Sequence, residues 1–323
     1  MRDESVAGPT MAGGVRAANA ARPEARAIGR LRRARRSEAL LFLLFIGPNL
    51  LLFGVFTYWP MIYNAYLSTV RWDLIAPIKT PVGLDNYRYL LDNATFHTVM
   101  KNTFVFTLGA VGGSLLLGLL VALLLNQPLR GRDGARTALF APTMLSGAAI
   151  SIVWVYMFDP RFGLLAEFLS WFSLRSPNWL RDPQWAMAAI IIVYIWKNVG
   201  YTVVIFLGGL QAIPKDLYEA ARVDGAGPVR RFWNITLPQL SPITFFLMVT
   251  SLINSFQAFD IIKVMTDGGP VDSTNTLIFY VYEQGFVAFN AGRAAAASLI
   301  LFVLMFGVTI AQLRWGERRV HYA

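Results

Sequence analysis

Hydrophobic residues along this chain gather into long runs, and the polar residues between them gather too. Six stretches approach the ~20 apolar residues that a helix needs to cross a bilayer. They are Ala39–Tyr58, Thr103–Leu125, Leu139–Phe158, Ala186–Leu207, Ile243–Ile262 and Ala294–Leu313. The third is interrupted by Pro142 and Ser146, the fourth by Lys197 and Asn198. Such interruptions are tolerated where neighbouring helices or water satisfy the freed polar groups. The pattern predicts an all-α integral membrane protein with six transmembrane helices.

Between the first two spans, Tyr87 to Met100 reads as an amphipathic helix, and between the third and fourth, Phe162 to Trp179 reads as an interfacial one. The latter carries Phe168, Trp171, Phe172 and Trp179, and Trp favours the headgroup level because its ring is amphipathic. Residues 1–37 are rich in Ala, Gly and Arg with no apolar period, which predicts a disordered tail. Residues 38–97 are read as the first span and the loop after it, 98–313 as the core, and 314–323 as a tail. A polar segment, 213–242, lies inside that core.

Composition agrees with the pattern. The 323 residues are 55% hydrophobic and 15% charged, against roughly a quarter charged in soluble domains. There is no Cys, which excludes disulfides and thiol nucleophiles, and two separated His, His97 and His321, argue against a His metal site. The net charge of +10 could point to nucleic acid, but its distribution reads otherwise. With both termini on one side, that side holds nineteen of the 29 Lys and Arg and nine of the 19 acidic residues. The positive-inside bias then places the termini and the 213–242 segment in the cytoplasm. The cluster from Arg30 to Arg36 is a positive-inside anchor that also meets anionic lipid, rather than a nucleic-acid patch or an export signal.

The segment from Glu219 to Pro242 is too long and too ordered in pattern for a plain connector. Pro214 suits the first turn of a helix, and Asp216 suits its positive end. Leu217, Ala220 and Ala221 share one face. Asp224-Gly225 stops the helix, because glycine takes the left-handed cap cheaply. Pro228 then starts a second helix toward Phe232 and Ile235, with Pro238 and Pro242 before the fifth span.

These residues resemble the EAA loop of permease subunits in bacterial ABC importers. Glu219, Ala220, Ala221, Asp224, Gly225 and Ala226 match its first half in order. Phe232, Ile235, Leu237, Pro238 and Pro242 match its second half. Gly209–Pro214, Thr266–Pro270, Ser273-Thr274 and Thr276-Leu277 are also similar to the maltose and glycerol-3-phosphate permease group. The likeness runs from the first span to the end and leaves out the Arg-rich tail.

The resemblance implies a type I importer permease of the bacterial plasma membrane, working as half of a channel. Its partners would be a second permease of similar fold, two ATP-binding subunits and an extracytoplasmic solute-binding protein. ATP-Mg would sit on the ATPases, with no cofactor on this chain, which has no G-x-x-x-x-G-K-S/T loop. Glu219 would anchor the loop by charge, Gly225 would permit the turn, and Ala220, Ala221 and Ala226 would permit close approach.

Polar residues inside spans usually face a cavity. Tyr194, Lys197, Asn198 and Tyr201 recur at i, i+3, i+4, i+7 on the fourth span. Ser251, Asn254, Ser255 and Gln257 lie within two turns of the fifth. Both sets are candidates for a path taken by a sugar or a glycerol-3-phosphate-like solute, and packing between helices is the competing reading. A self-sufficient transporter or channel is the alternative function, weakened by scarce intramembrane acids. An integral membrane enzyme would need a clustered His, Cys or carboxylate set, and none is visible.

Overall fold

The computed structural model describes residues 41–128 and 130–316. The predicted disordered tail lies outside those residues, as does most of the C-terminal one. By internal contact the chain divides after Tyr63. Helix α1 is Leu41–Leu67, nine residues longer at its end than the pattern predicts. It runs through Pro60, which lacks an N–H and whose ring collides with the carbonyl four residues back. A wide π turn at Gly54–Tyr58, closed by Trp59 N–H to the Gly54 carbonyl, precedes the proline and relaxes that conflict.

Among the described residues from Asn64 onward, the regular elements are helices apart from a ribbon of two-residue strands, β1 Val70–Arg71 against β2 Thr80–Pro81. Helix α2 is Asp85–Asp92 and α3 is Ala94–Leu125. The expected amphipathic helix is therefore two pieces. Asn93 divides them, because its side chain accepts the N–H of Phe96 and caps the new helix. Helix α3 packs along α7, Pro183–Ala212. Gly109 and Gly113, one turn apart, let the helices close, since a Cβ at either would strike Ile191 or Ile195.

The third expected span is not one helix. Helix α4, Arg132–Phe140, passes into a 3-10 turn at Ala141–Met144, and α5, Gly147–Met157, leaves at 105°. Pro142 cannot continue the helical ladder, and Leu145 and Ser146 are extended. The fifth expected span breaks as well. Helix α10, Ser241–Phe256, stops at Gln257, and α11, Asp260–Met265, restarts the chain. Four described helices are long and apolar enough to cross a membrane, and up to six result if each of two bent pairs, Arg132–Met144 with Gly147–Met157 and Pro228–Gln239 with Ser241–Phe256, is one span. The expected interfacial helix shrinks to α6, Leu164–Ser170, because Ser173 takes a positive φ and Pro177 follows.

The two breaks face each other. A Cβ on Gly147, at the start of α5, would strike the Asp260 carboxylate at the start of α11. Around them lies a core that includes Phe106, Ile190, Val193, Ile261 and Ile262. A second core joins α7 to α10 through Val203, Phe206, Leu240 and Leu247. Helix α12, Leu277–Tyr282, and α13, Ala291–Gly316, are the last described helices. Leu90, Phe96, Leu277, Ala296 and Ala297 pack there. Gly316 ends against Phe245 of α10, so α13 runs antiparallel to α10.

Gly200 of α7 sits where the backbone of Leu139 and Phe140 crosses the helix, while Gly208 two turns on faces open space. Gly200→Ala is expected to lower stability by about 1–3 kcal/mol through overpacking against backbone that cannot yield. Gly208→Ala should be neutral or gain up to about 1 kcal/mol of helix propensity. Thermal unfolding of the two variants in detergent checks this; equal melting temperatures would contradict the packing described.

Candidate functional site

Helix α8 is Lys215–Val223, and its end is a complete Schellman motif. The N–H of Ala226 reaches the carbonyl of Ala221 and the N–H of Gly225 reaches that of Arg222. Gly225 between them has φ +77°, in the left-handed region. Pro214 stands at the N-cap, one position before the helix, rather than inside its first turn. Gly227 then caps α9, Pro228–Gln239, whose middle is a π turn at Phe232–Thr236. As with Pro60, this wide turn lies just before a proline, Pro238.

Sequence reasoning missed the tie that locks the two helices. The Tyr218 hydroxyl and Thr236 Oγ1 lie 2.9 Å apart, with Thr236 buried. Tyr218 and Ile235 pack on the core below them. The opposite face of the loop is bare. Val223 is 89% exposed and Trp233 60%, while Glu219 and Ala220 are exposed beside them. Glu219 forms no ion pair among the described residues. Ala221, Asp224, Ala226 and Ile235 line a notch of about 200 Å³ between the helices, with Arg230 and Arg231 at its edge.

The polar faces in the spans divide. Tyr194 is buried and meets Phe106 edge-on at 5.3 Å. Asn198 donates to the Tyr194 carbonyl at 2.8 Å, within its own helix. The Lys197 carbonyl accepts Thr143 Oγ1 at 3.0 Å, a bond that holds the 3-10 turn to α7. Ser255 is buried, donating to the Leu252 carbonyl and facing Thr107 Oγ1. Asn254 and Gln257 are exposed, and Lys197, Tyr201 and Ser251 are half-buried.

On the side opposite the loop, the Thr266–Thr276 segment is bound to α3. Asn102 donates to the carbonyls of Asp272 and Asn275, and Thr103 accepts the N–H of Leu277. Asn275, almost wholly buried, donates to Glu283 and to the Asp272 carboxylate. No spacing in the sequence marks Asn102 or Thr103 for this role. In the turn after β1, Asp73 accepts the N–H groups of Ala76 and Ile75, which hold its carboxyl below the usual carboxylate range.

Comparison with known proteins places this geometry. The family described as "Binding-protein-dependent transport system inner membrane component" matches residues 114–321. The sn-glycerol-3-phosphate transport system permease protein UgpA of Pectobacterium atrosepticum is 36% identical over 290 residues, 89% of this chain and 97% of the relative. Its counterpart from Agrobacterium fabrum is 37% identical over 284 residues, 86% and 95% of the two chains. A solved chain from a bacterial alginate ABC transporter, in complex with an alginate pentasaccharide-bound periplasmic protein, superposes with TM-score 0.78. It is 24% identical and covers 91% of this chain and 99% of its own, which shows the shared fold. The chain belongs to the family of inner-membrane components of binding-protein-dependent transport systems, as a permease subunit of an ABC importer.

Proposed function

We propose that the loop formed by α8 and α9 is the docking element for an ATP-binding subunit on the cytoplasmic side. Two such subunits and a second permease of similar fold would complete the membrane assembly. The observation that carries this reading is a rigid two-helix loop whose outer face leaves Val223, Val229 and Trp233 uncovered. Exposed apolar side chains grouped on one face fit a partner surface. Glu219, unpaired among the described residues, supplies a charge for the partner to meet. Ala220, Ala221 and Ala226 keep the surface low, Asp224 ends the helix, and Gly225 makes the turn.

The loop hangs from the ends of α7 and α10, so a push on it moves both helices. Closure of the ATPases on ATP would thus shift the half-channel between its two facings. Lys197, Asn198, Tyr201, Ser251, Asn254 and Gln257 remain the candidates for the solute path. Tyr194 and Ser255 would shape it from behind, since both are turned into the packing. The UgpA relatives carry sn-glycerol-3-phosphate in their name, and the solute proposed here is of that class or a sugar. An extracytoplasmic binding protein would deliver it. Purifying the tagged chain in mild detergent and identifying its companions by mass spectrometry tests the assembly. An ATPase and a second permease should accompany it, and isolation of the chain alone would overturn the reading.

Glu219→Ala and Gly225→Pro are expected to abolish solute uptake while membrane insertion stays intact. Normal uptake by both would remove the docking role. Tyr218→Phe should cost about 1 kcal/mol by deleting one partly buried hydrogen bond. It should also lower the coupling ratio, read as solute moved per ATP hydrolysed in proteoliposomes. An unchanged ratio would mean that the tie to Thr236 does not transmit force.

A further inference from the structure

At the end of the molecule away from the loop, two arginines converge without a carboxylate partner. A pocket of about 130 Å³ is lined by Arg71, Trp72, Tyr89, Asn290, Gly292 and Arg293, with Asp85 and Asn86 completing its wall. Neither Arg71 nor Arg293 forms an ion pair among the described residues, whereas Asp85 is met by Arg88 at 3.5 Å. The Arg293 guanidinium is stacked on Tyr89, 3.6 Å from the ring centre. Lys79 sits over Trp72 at 4.3 Å and adds positive charge nearby. Asp73 does not compete, because its carboxylate is turned back onto Ile75 and Ala76.

The pocket is fixed by backbone. Ala291 N–H reaches the Trp72 carbonyl at 3.0 Å, and Gly292 lies against the Val70 carbonyl. Asn86 holds the carbonyls of Ser68 and Val70, both at 2.9 Å. Arg293, stacked on Tyr89, and Arg71 beside the same pocket present planar donors of the kind that match a phosphate.

A second cavity lies beneath the first. Leu299, Ile300, Val303 and Leu304 of α13, with Tyr87 of α2, line an apolar groove of about 490 Å³. Arg293, Ile300 and Leu304 follow i, i+7, i+11, and Gly292, Leu299 and Val303 do the same. Both cavities therefore lie on one face of α13, the groove beginning about 10 Å further along the helix. Exposed Leu74, Ile75, Ile78 and Leu84 near the pocket fit a lipid surface better than open water.

We infer that this face binds a membrane phospholipid. Its phosphate would sit between Arg71 and Arg293, and an acyl chain would follow the groove past Val303. The charged head explains the unpaired arginines, and the tail explains an apolar groove further along the same helix face. A free phosphate ester would account for the first and leave the second without an occupant.

Native mass spectrometry of the full-length chain, purified with its companion subunits and supplied with phosphatidylglycerol, tests the assignment. The wild type should retain one phospholipid, and excess inorganic phosphate should not displace it. Arg71→Gln with Arg293→Gln should cut retention about tenfold for each charge-assisted hydrogen bond removed. Val303→Trp, at a side chain 65% exposed, should fill the groove and cut retention with both arginines in place. Should the double variant fail to fold, Arg71→Gln alone, at an exposed position, carries the test. Unchanged retention in folded arginine variants overturns the proposal. So does displacement by inorganic phosphate with Val303→Trp silent, which would assign the pocket to a free phosphate group.

Discussion

Lipid offers no hydrogen-bond partner to a backbone N–H or C=O, so a membrane chain can leave the helix only where protein encloses the break. This chain leaves it twice within its apolar stretches, at Ala141–Ser146 and at Gln257–Phe259. Both breaks are enclosed by the same neighbours. Thr143 bonds the Lys197 carbonyl, and Gly200 lets the Leu139 backbone lie on α7. Asp260 meets Gly147 across the two restarts. Asp260 thereby places negative charge at the start of α5, where the helix dipole favours it. Helix α7 is the unbroken member against which the bent ones are set.

The same arrangement connects the loop to the interior. Ile213 and Leu240, at the two ends of the loop, are both buried in the core shared by α7 and α10. Between those anchors a Schellman cap and the Tyr218–Thr236 bond fix the angle of the two short helices. Under the proposed docking role, a displacement of Glu219 or Val223 would pass to α7 and α10 rather than be absorbed by the loop. Those two helices carry most of the polar residues that a solute could meet. On the proposed function, force transfer and solute contact would reside on the same pair of elements.

Much of this was legible in the sequence. Hydropathy located every apolar stretch, and glycine and proline chemistry located the cap at Gly225 and the restart at Pro228. The shape of the third and fifth stretches was not legible. Pro142 announces a disturbance, but whether a proline kinks a helix or ends it depends on what receives the freed carbonyls. Here a contact more than fifty residues away fixes the outcome, Thr143 Oγ1 donating to the Lys197 carbonyl of α7. Likewise Pro60 reads as a stop, and only the π turn before it allows the helix to continue. Tyr218, Asn102 and Thr103 were missed because their partners, Thr236, Asn275 and Leu277, are set by tertiary register. The i, i+3, i+4, i+7 rule placed Tyr194 with Lys197 and Tyr201, yet neighbouring helices bury Tyr194 more than the others. Helical spacing assigns a face and does not say which helix covers it.

The chain contains no cysteine, which makes single-site cross-linking clean. The most direct measurement is Val223→Cys carrying a short cross-linker in membranes that also hold the ATP-binding subunit. Ile75→Cys, also exposed but at the other end of the molecule, is the control. The account predicts a cross-link to the ATPase from Val223→Cys, altered by ATP, and none from Ile75→Cys. No cross-link from the loop position, or the same cross-link from both, would contradict it.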